Sequence, residues 1–224
     1  MPSRPLLLGH RGARAVKAIR ENTFASFDLA LAHGCDGFEF DVRLTANSEA
    51  VVCHDPKIGG VRIAVTNAAG LPQLPLLRDV LRRYGQSAFL DIEIKVSGME
   101  RAVVRLLREC RPSGYVVSSF LPSALRAVHA QDPSIPLGMI CETKSQLTRW
   151  RQLPVNYVIV HHKLALRSVI YGLRSSGRKV LVWTVNGAAS MRRLAKWGVD
   201  GIISDDTEQL ARMLHGPLNK NREG

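Results

Sequence analysis

The sequence predicts an α/β protein built as a compact (β/α)8 TIM barrel. Short apolar runs alternate with segments of helical periodicity, making about eight strand–helix units in 224 residues. Several of the strand-like runs are continuously apolar, as in Tyr157-Val158-Ile159-Val160, which suits a parallel sheet covered on both faces. Ionisable residues also collect where these runs end, and that is the rim on which a parallel barrel assembles its site. An open doubly wound sheet is the competing architecture. No GxGxxG follows the first strand and no GxxxxGK[ST] occurs, which counts against its dinucleotide-binding and P-loop versions.

The first strand runs over Leu6–Gly9, and a helix over Phe24–His33 ends before Gly34, where a cation suits the helix C-terminus. Strands follow at Gly37–Val42 and Val51–His54. Residues 57–75, rich in Gly and Pro, are the one long irregular stretch and predict a short insertion after His54. A helix over Leu76–Tyr84 leads to a strand at Ala88–Ile94. In the helix Met99–Cys110, Arg101, Arg105 and Arg108 share one side while Val104, Leu107 and Cys110 take the other, a solvated face over a core face. The alternation continues with strands at Tyr115–Ser119, Leu137–Cys141, Val155–His161, Lys179–Val185 and Gly201–Ser204. Their helices are Pro122–Ala130, Lys144–Gln152, Leu164–Ser175, Ala188–Trp197 and Glu208–His215. No linker divides the chain, so a single domain over residues 1–224 is expected, with a polar tail at 216–224 that frays.

Apolar residues make up 46% and charged ones 22%, which excludes a mainly disordered chain. The formal net charge is +12, so nucleic acid is the first partner to weigh. Most of the basic residues are Arg on helix faces, with neither a run of five nor interleaved aromatic residues, and a solvated surface that attracts anions fits better than a nucleic-acid groove. Leu6-Leu7-Leu8 is far too short for a signal or membrane-spanning segment. Cys35, Cys53, Cys110 and Cys141 are widely spaced in apolar surroundings. They read as small buried thiols in a reducing compartment, so a cytoplasmic protein without stable membrane association is expected.

The predicted strand ends carry His10, Glu39 with Asp41, His54, Glu93 with Lys95, Ser119, His161 with His162, Trp183 with Asn186, and Asp205. Glu39 and Asp41 are two apart on one strand and so share a face, while Phe38, Phe40 and Val42 take the other. Two acids on a buried strand repel unless neutralised. A hard divalent cation would do this with Glu93 as a third ligand, and oxygen-only ligation favours Mg2+ or Ca2+ over zinc. Ion pairing with Arg11 or Lys95 is the structural alternative. His10 and His54 beside such a cluster could act as base and acid, and Arg11 offers a planar fork to phosphate oxygens. Together these residues suggest metal-assisted cleavage of a phosphate ester.

His10-Arg11-Gly12, Glu21-Asn22-Thr23, Glu39-Phe40-Asp41-Val42, His54-Asp55-Pro56 and Glu93-Ile94-Lys95 occur in that order. Val182-Trp183-Thr184-Val185-Asn186 and Gly198-Val199-Asp200-Gly201-Ile202-Ile203-Ser204-Asp205 follow late in the chain. This series resembles the glycerophosphodiester phosphodiesterase family across residues 6 to 206. The resemblance implies a TIM barrel that hydrolyses glycerophosphodiesters to sn-glycerol 3-phosphate and an alcohol with one divalent cation, Mg2+ or Ca2+, with Mn2+ also suitable. It implies His10 and His54 as the general acid/base pair, Glu39, Asp41 and Glu93 as metal ligands, and Arg11 and Lys95 as phosphate-binding. Glu21 would ligate the metal or orient Arg11, and Trp183 would wall the substrate pocket.

The chain departs from the family pattern in three places. Arg20 stands where Pro usually precedes Glu-Asn, which would loosen the loop carrying Glu21. Asn47 replaces a common Asp, and the segment after Pro56 is short, which predicts an open pocket tolerant of varied head groups. Which histidine is the acid, and whether water or the substrate's 2-hydroxyl is the nucleophile, both stay open. So does the oligomeric state. A lysophospholipase D or sphingomyelinase D-like enzyme would share the barrel and the histidines but needs an apolar lipid track. A non-catalytic basic barrel binding nucleic acid or anionic metabolites would not need both histidines and all three carboxylates.

Overall fold

The computed structural model describes residues 4–215, so the expected frayed tail at 216–224 lies outside the described residues. The strands are β1 Leu6–His10, β2 Gly37–Leu44, β3 Ala50–Val52, β4 Lys57–Ile58, β5 Val61–Arg62, β6 Phe89–Ile94, β7 Gly114–Ser119, β8 Leu137–Cys141, β9 Tyr157–His161, β10 Lys179–Trp183 and β11 Gly201–Ser204. The α-helices are α1 Phe24–Ala32, α2 Leu77–Tyr84, α3 Glu100–Cys110, α4 Pro122–Gln131, α5 Lys144–Arg149, α6 Arg167–Ser175, α7 Ala188–Lys196 and α8 Thr207–His215. Eight strands pair in parallel in the order β1-β11-β10-β9-β8-β7-β6-β2, and β1 also pairs with β2, which closes a (β/α)8 TIM barrel.

Three segments differ from the sequence expectation. The run Val51–His54 is not a barrel strand. A turn in which Thr45 Oγ1 donates to Asn47 Oδ1 at 2.8 Å folds β3 back antiparallel on β2, and His54 lies two residues beyond it. The irregular stretch 57–75 holds the β4–β5 hairpin and two short 3-10 turns, packed on a small core of Val51, Ile63, Leu71 and Leu74. Asn47 ties this insertion down, because its Oδ1 also accepts from the Ala68 N–H at 3.0 Å. The expected helix Lys144–Gln152 divides into α5 and a 3-10 turn at Trp150–Gln152. Of the four cysteines, all unpaired, Cys35 and Cys141 are buried, whereas Cys53 and Cys110 are half-buried.

Strand alternation separates two apolar regions. Phe38, Phe40, Leu90 and Ile92 point out into the layer between sheet and helices. Leu8, Val116, Ile140, Tyr157, Ile159, Leu181 and Ile203 form a separate cluster that fills the barrel interior. Phe27 of α1 stacks on Phe38 at 4.1 Å, and Tyr84 of α2 meets Phe38 edge-on at 5.1 Å. Gly37 is required where β2 meets β6, since a Cβ there would lie 1.9 Å from the Phe89 carbonyl oxygen. These contacts fix the strand whose inward residues are Glu39 and Asp41. Among the described residues no helix is long and apolar enough to cross a membrane.

Phe38 is fully buried under Phe27 and Tyr84. Phe38→Ala is expected to lower unfolding stability by about 3–5 kcal/mol in urea titration, the usual cost of emptying a buried aromatic site. A loss under about 1 kcal/mol would contradict this packing.

Candidate active site

Glu39, Asp41 and Glu93 converge at the C-terminal rim, each offering one oxygen within 4.8 Å of the others, and all three are buried. The β2–β6 pairing sets Asp41 level with Glu93 and Glu39 level with Asp91. Lys95 Nζ lies 2.8 Å from Glu93 Oε1 and 3.3 Å from Asp41 Oδ1. Arg11 Nε is 3.2 Å from Asp41 Oδ2. The ion-pair network offered by the sequence as an alternative therefore exists, but it is incomplete. Glu39 Oε1 and Asp41 Oδ1 are buried and accept no hydrogen bond. Burial first, then the charges of Asp41 and Glu93, push the Glu39 carboxyl well above its ordinary range. Burial and Asp41 raise Glu93 to about 7 despite Lys95. Asp41 goes the other way, because Arg11 and Lys95 outweigh its burial. Two cations do not balance three buried carboxylates. Buried oxygens of Glu39 and Asp41 that accept no hydrogen bond, with Glu93 beside them, fit a Mg2+ or Ca2+ ion, which such a donor set would hold without a thiolate or imidazole.

Arg11 takes a left-handed conformation, φ 53, immediately after β1. This aims its backbone N–H at Glu39 Oε2, 3.1 Å away. Its guanidinium donates to Glu21 Oε1 at 2.7 Å, and Arg14 Nε donates to Glu21 Oε2 at 2.6 Å. Glu21 therefore sits with the arginines and outside the three-carboxylate group. Asn22 Nδ2 donates to Asp41 Oδ2 at 2.9 Å. Arg20 donates to the Gln73 carbonyl at 3.0 Å, so the loop expected to be loose is tied to the insertion.

His10 ends β1, with Nδ1 2.7 Å from Asp205 Oδ1 and Nε2 3.8 Å from Glu39 Oε2. Burial would raise the Asp205 carboxyl, but bonds from His10, Asn186 and Arg14 hold it far below the carboxylate range. An ionised acid only accepts, so His10 Nδ1 carries the proton and Nε2 is the basic nitrogen. His54 is placed similarly, with Nδ1 2.8 Å from Asp55 Oδ1. Both histidines line one cavity of about 260 Å3 with Arg11, Glu39, Glu93 and Lys95. Phe120 and Trp183 form its apolar wall, their rings edge to face at 5.6 Å. His161 touches Trp183 at 5.2 Å and His162 at 4.3 Å, but neither histidine lines the cavity. Ser119 is absorbed in the scaffold, donating to the Ile94 carbonyl at 2.7 Å.

The model of the glycerophosphoryl diester phosphodiesterase family matches residues 10–69 and 74–209. The chain belongs to this family. Among glycerophosphodiester phosphodiesterase relatives, the enzyme of Caldanaerobacter subterraneus is 28% identical over 93% of this chain and 97% of its own. Bacillus subtilis YhdW, a candidate enzyme of the same name, is 30% identical over 89% of this chain and 93% of its own. An Oleispira antarctica phosphodiesterase, solved with its product sn-glycerol 3-phosphate, superposes with a TM-score of 0.83 at 25% identity, covering 95% of this chain and 97% of that one. As a glycerophosphodiester phosphodiesterase family member, the chain is an enzyme, a phosphoric diester hydrolase.

Sequence reasoning found Asp205, Asn186 and Asn22 without giving them a function in the site. Asn186 Nδ2 donates to Asp205 Oδ2 at 2.8 Å, so a residue after β10 steadies the acid that orients a histidine on β1. The signal was available in barrel closure, which sets the ends of β1 and β11 side by side, with Gly9 opposite Ser204. Asp91 was missed altogether. It is buried beneath Glu93, lines the cavity, and is raised to about 7 by burial.

Glu39 and Glu93 hold protons more tightly in the fold than in the unfolded chain, where a glutamate titrates near ~4.3. Without a cation, stability is therefore expected to fall as pH rises from ~4 through about 7, because the unfolded chain ionises first. A bound cation must displace those protons. Scanning calorimetry should show Mg2+, Ca2+ or Mn2+ raising Tm more at about pH 8 than at about pH 6, and an equal or smaller gain at the higher pH contradicts the site.

Proposed function

We propose that this protein hydrolyses glycerophosphodiesters to sn-glycerol 3-phosphate and an alcohol, in a divalent-cation-dependent reaction with His10 and His54 as the acid/base pair. The observation that carries this is one cavity lined by both histidines, two members of the three-carboxylate cluster, and both Arg11 and Lys95. The family match and the product named in the Oleispira antarctica structure support the substrate class. The unpaired thiols support a reducing compartment, the cytoplasm.

Glu39, Asp41 and Glu93 would hold one Mg2+, Ca2+ or Mn2+ ion, and its charge would offset that developing on the phosphoryl oxygens. Arg11 and Lys95 bind further phosphate oxygens from the same rim, and Glu21 holds the Arg11 guanidinium in place. One histidine takes a proton at Nε2 from the nucleophile, which is water or the glycerol 2-hydroxyl, as the new P–O bond forms. The other protonates the alcohol oxygen as its P–O bond breaks; where the 2-hydroxyl attacks, this step gives a cyclic phosphodiester, which water then opens to sn-glycerol 3-phosphate with the roles of the two histidines exchanged. Asp205 keeps the proton of His10 on Nδ1 throughout, so Nε2 stays available. Trp183 and Phe120 keep water from one side of the reacting group.

The test is release of sn-glycerol 3-phosphate from glycerophosphocholine, glycerophosphoethanolamine and glycerophosphoglycerol, with Mg2+, Ca2+, Mn2+ or chelator. Turnover that ignores chelator, or its absence on all three, overturns the proposal. His10→Ala and His54→Ala are each expected to lower kcat at least ~100-fold, and near-wild-type turnover in either removes that histidine from the mechanism.

Asp205→Asn should lower kcat at least ~10-fold with little change in KM, since it disturbs the His10 tautomer and leaves the phosphate contacts intact. A rise in KM alone would assign Asp205 to binding.

A further inference from the structure

The floor of the cavity holds a group that none of these steps uses. Asp91 lies on β6 one inward-facing position below Glu93 and is 1% exposed. Its Oδ1 accepts from Ser118 Oγ at 2.6 Å, which fixes the carboxyl group. Its Oδ2 is buried and has no hydrogen-bond partner. The aliphatic residues that line the same cavity are Ile140, Ile159 and Ile203. A buried oxygen without a partner costs stability that an apolar floor would not incur, so the pairing that offsets it comes from whatever occupies the cavity.

The chemistry of that occupant is narrowly set. Asp91 is not one of the three acids grouped closely enough to share an ion. A phosphate would bring charged oxygens to a fully buried carboxyl among apolar side chains, where a further charge is costly. Three isoleucines suit C–H groups, and a single carboxyl among them suits one hydroxyl, which can either donate or accept. In a glycerophosphodiester the leaving alcohol varies between substrates and must depart past the open rim, whereas the glycerol is constant. We infer that Asp91 is a specificity-determining residue that pairs through Oδ2 with a free hydroxyl of the glycerol, while Ile140, Ile159 and Ile203 cover its carbon skeleton. Ser118 is its positioning residue. The inference rests on the glycerophosphodiester reading above.

Calorimetric binding tests it without depending on turnover. The ligands are sn-glycerol 3-phosphate, its two monodeoxy analogues that each lack one free hydroxyl, and inorganic phosphate. They are titrated into Mg2+-loaded wild type, Asp91→Leu, Asp91→Asn and Ser118→Ala. Wild type should bind sn-glycerol 3-phosphate at least ~10-fold tighter than one of the analogues. Asp91→Leu should erase that difference by weakening sn-glycerol 3-phosphate alone, with phosphate and the same analogue unchanged. Asp91→Asn, which keeps a hydrogen-bonding group, should retain most of the preference, and Ser118→Ala should lose part of it. If the leucine variant does not fold, the Asn and Ala variants carry the comparison. No preference in wild type, equal losses on every ligand, or an intact preference in Asp91→Leu each overturns the inference. So does a change confined to head-group preference among the three diesters. A wild type that hydrolyses none of those diesters sinks the functional reading itself, a failure distinguishable from any of these.

Discussion

Three carboxylates on two neighbouring strands, Glu39 and Asp41 on β2 and Glu93 on β6, are buried together where their charges repel. The surrounding chain is arranged to make this tolerable. Lys95 reaches Asp41 and Glu93, Arg11 reaches Asp41 with its side chain and Glu39 with its backbone N–H, and Asn22 bonds Asp41. Arg11 does both from the left-handed backbone region, at the turn into Gly12. On the opposite face of β2, Phe38 and Phe40 lock the strand against α1, so the repelling acids cannot relax by moving apart. The site is held under electrostatic tension by its own hydrophobic backing.

Most of this is visible in the amino-acid pattern because it follows from periodicity two. Alternation of Glu39 and Asp41 with Phe38, Phe40 and Val42 states directly which residues face the interior. Continuous apolar runs such as Tyr157–Val160 state that both faces of the sheet are covered. The parts that escape are those decided by contacts across the chain. The run containing Val51 and Val52 looks like any other strand, and only the turn at Thr45 and Asn47 sends it antiparallel onto β2. The partnership of His10 with Asp205 needs the ring to close, and the role of Asp91 needs the cavity above it.

The two histidines have different mechanical footings. His10 is the last residue of a barrel strand and is buried among charged partners. His54 stands on the loop after β3, next to an insertion with its own small core of Val51, Ile63, Leu71 and Leu74. Arg20 and Asn47 link that insertion to the rest of the chain through side-chain hydrogen bonds, and the Ala46 and Val52 N–H groups donate to the Thr66 and Pro75 carbonyls at 3.0 and 2.8 Å. His54 itself is tied to β2 by its carbonyl, which accepts from Arg43 Nε at 2.8 Å.

Barrel closure bears on how the protein comes into being. His10 and the acid that fixes its ring, Asp205, lie 195 residues apart in sequence yet 2.7 Å apart in space, brought together by the pairing of the first and last strands. During synthesis Arg11 and all three carboxylates emerge long before the partner that sets the tautomer of His10. A nascent or truncated chain could bring together Arg11 and the three carboxylates and still lack the acid that orients His10. That acid is in place only once β11 docks against β1, a contact between the two ends of the barrel sequence.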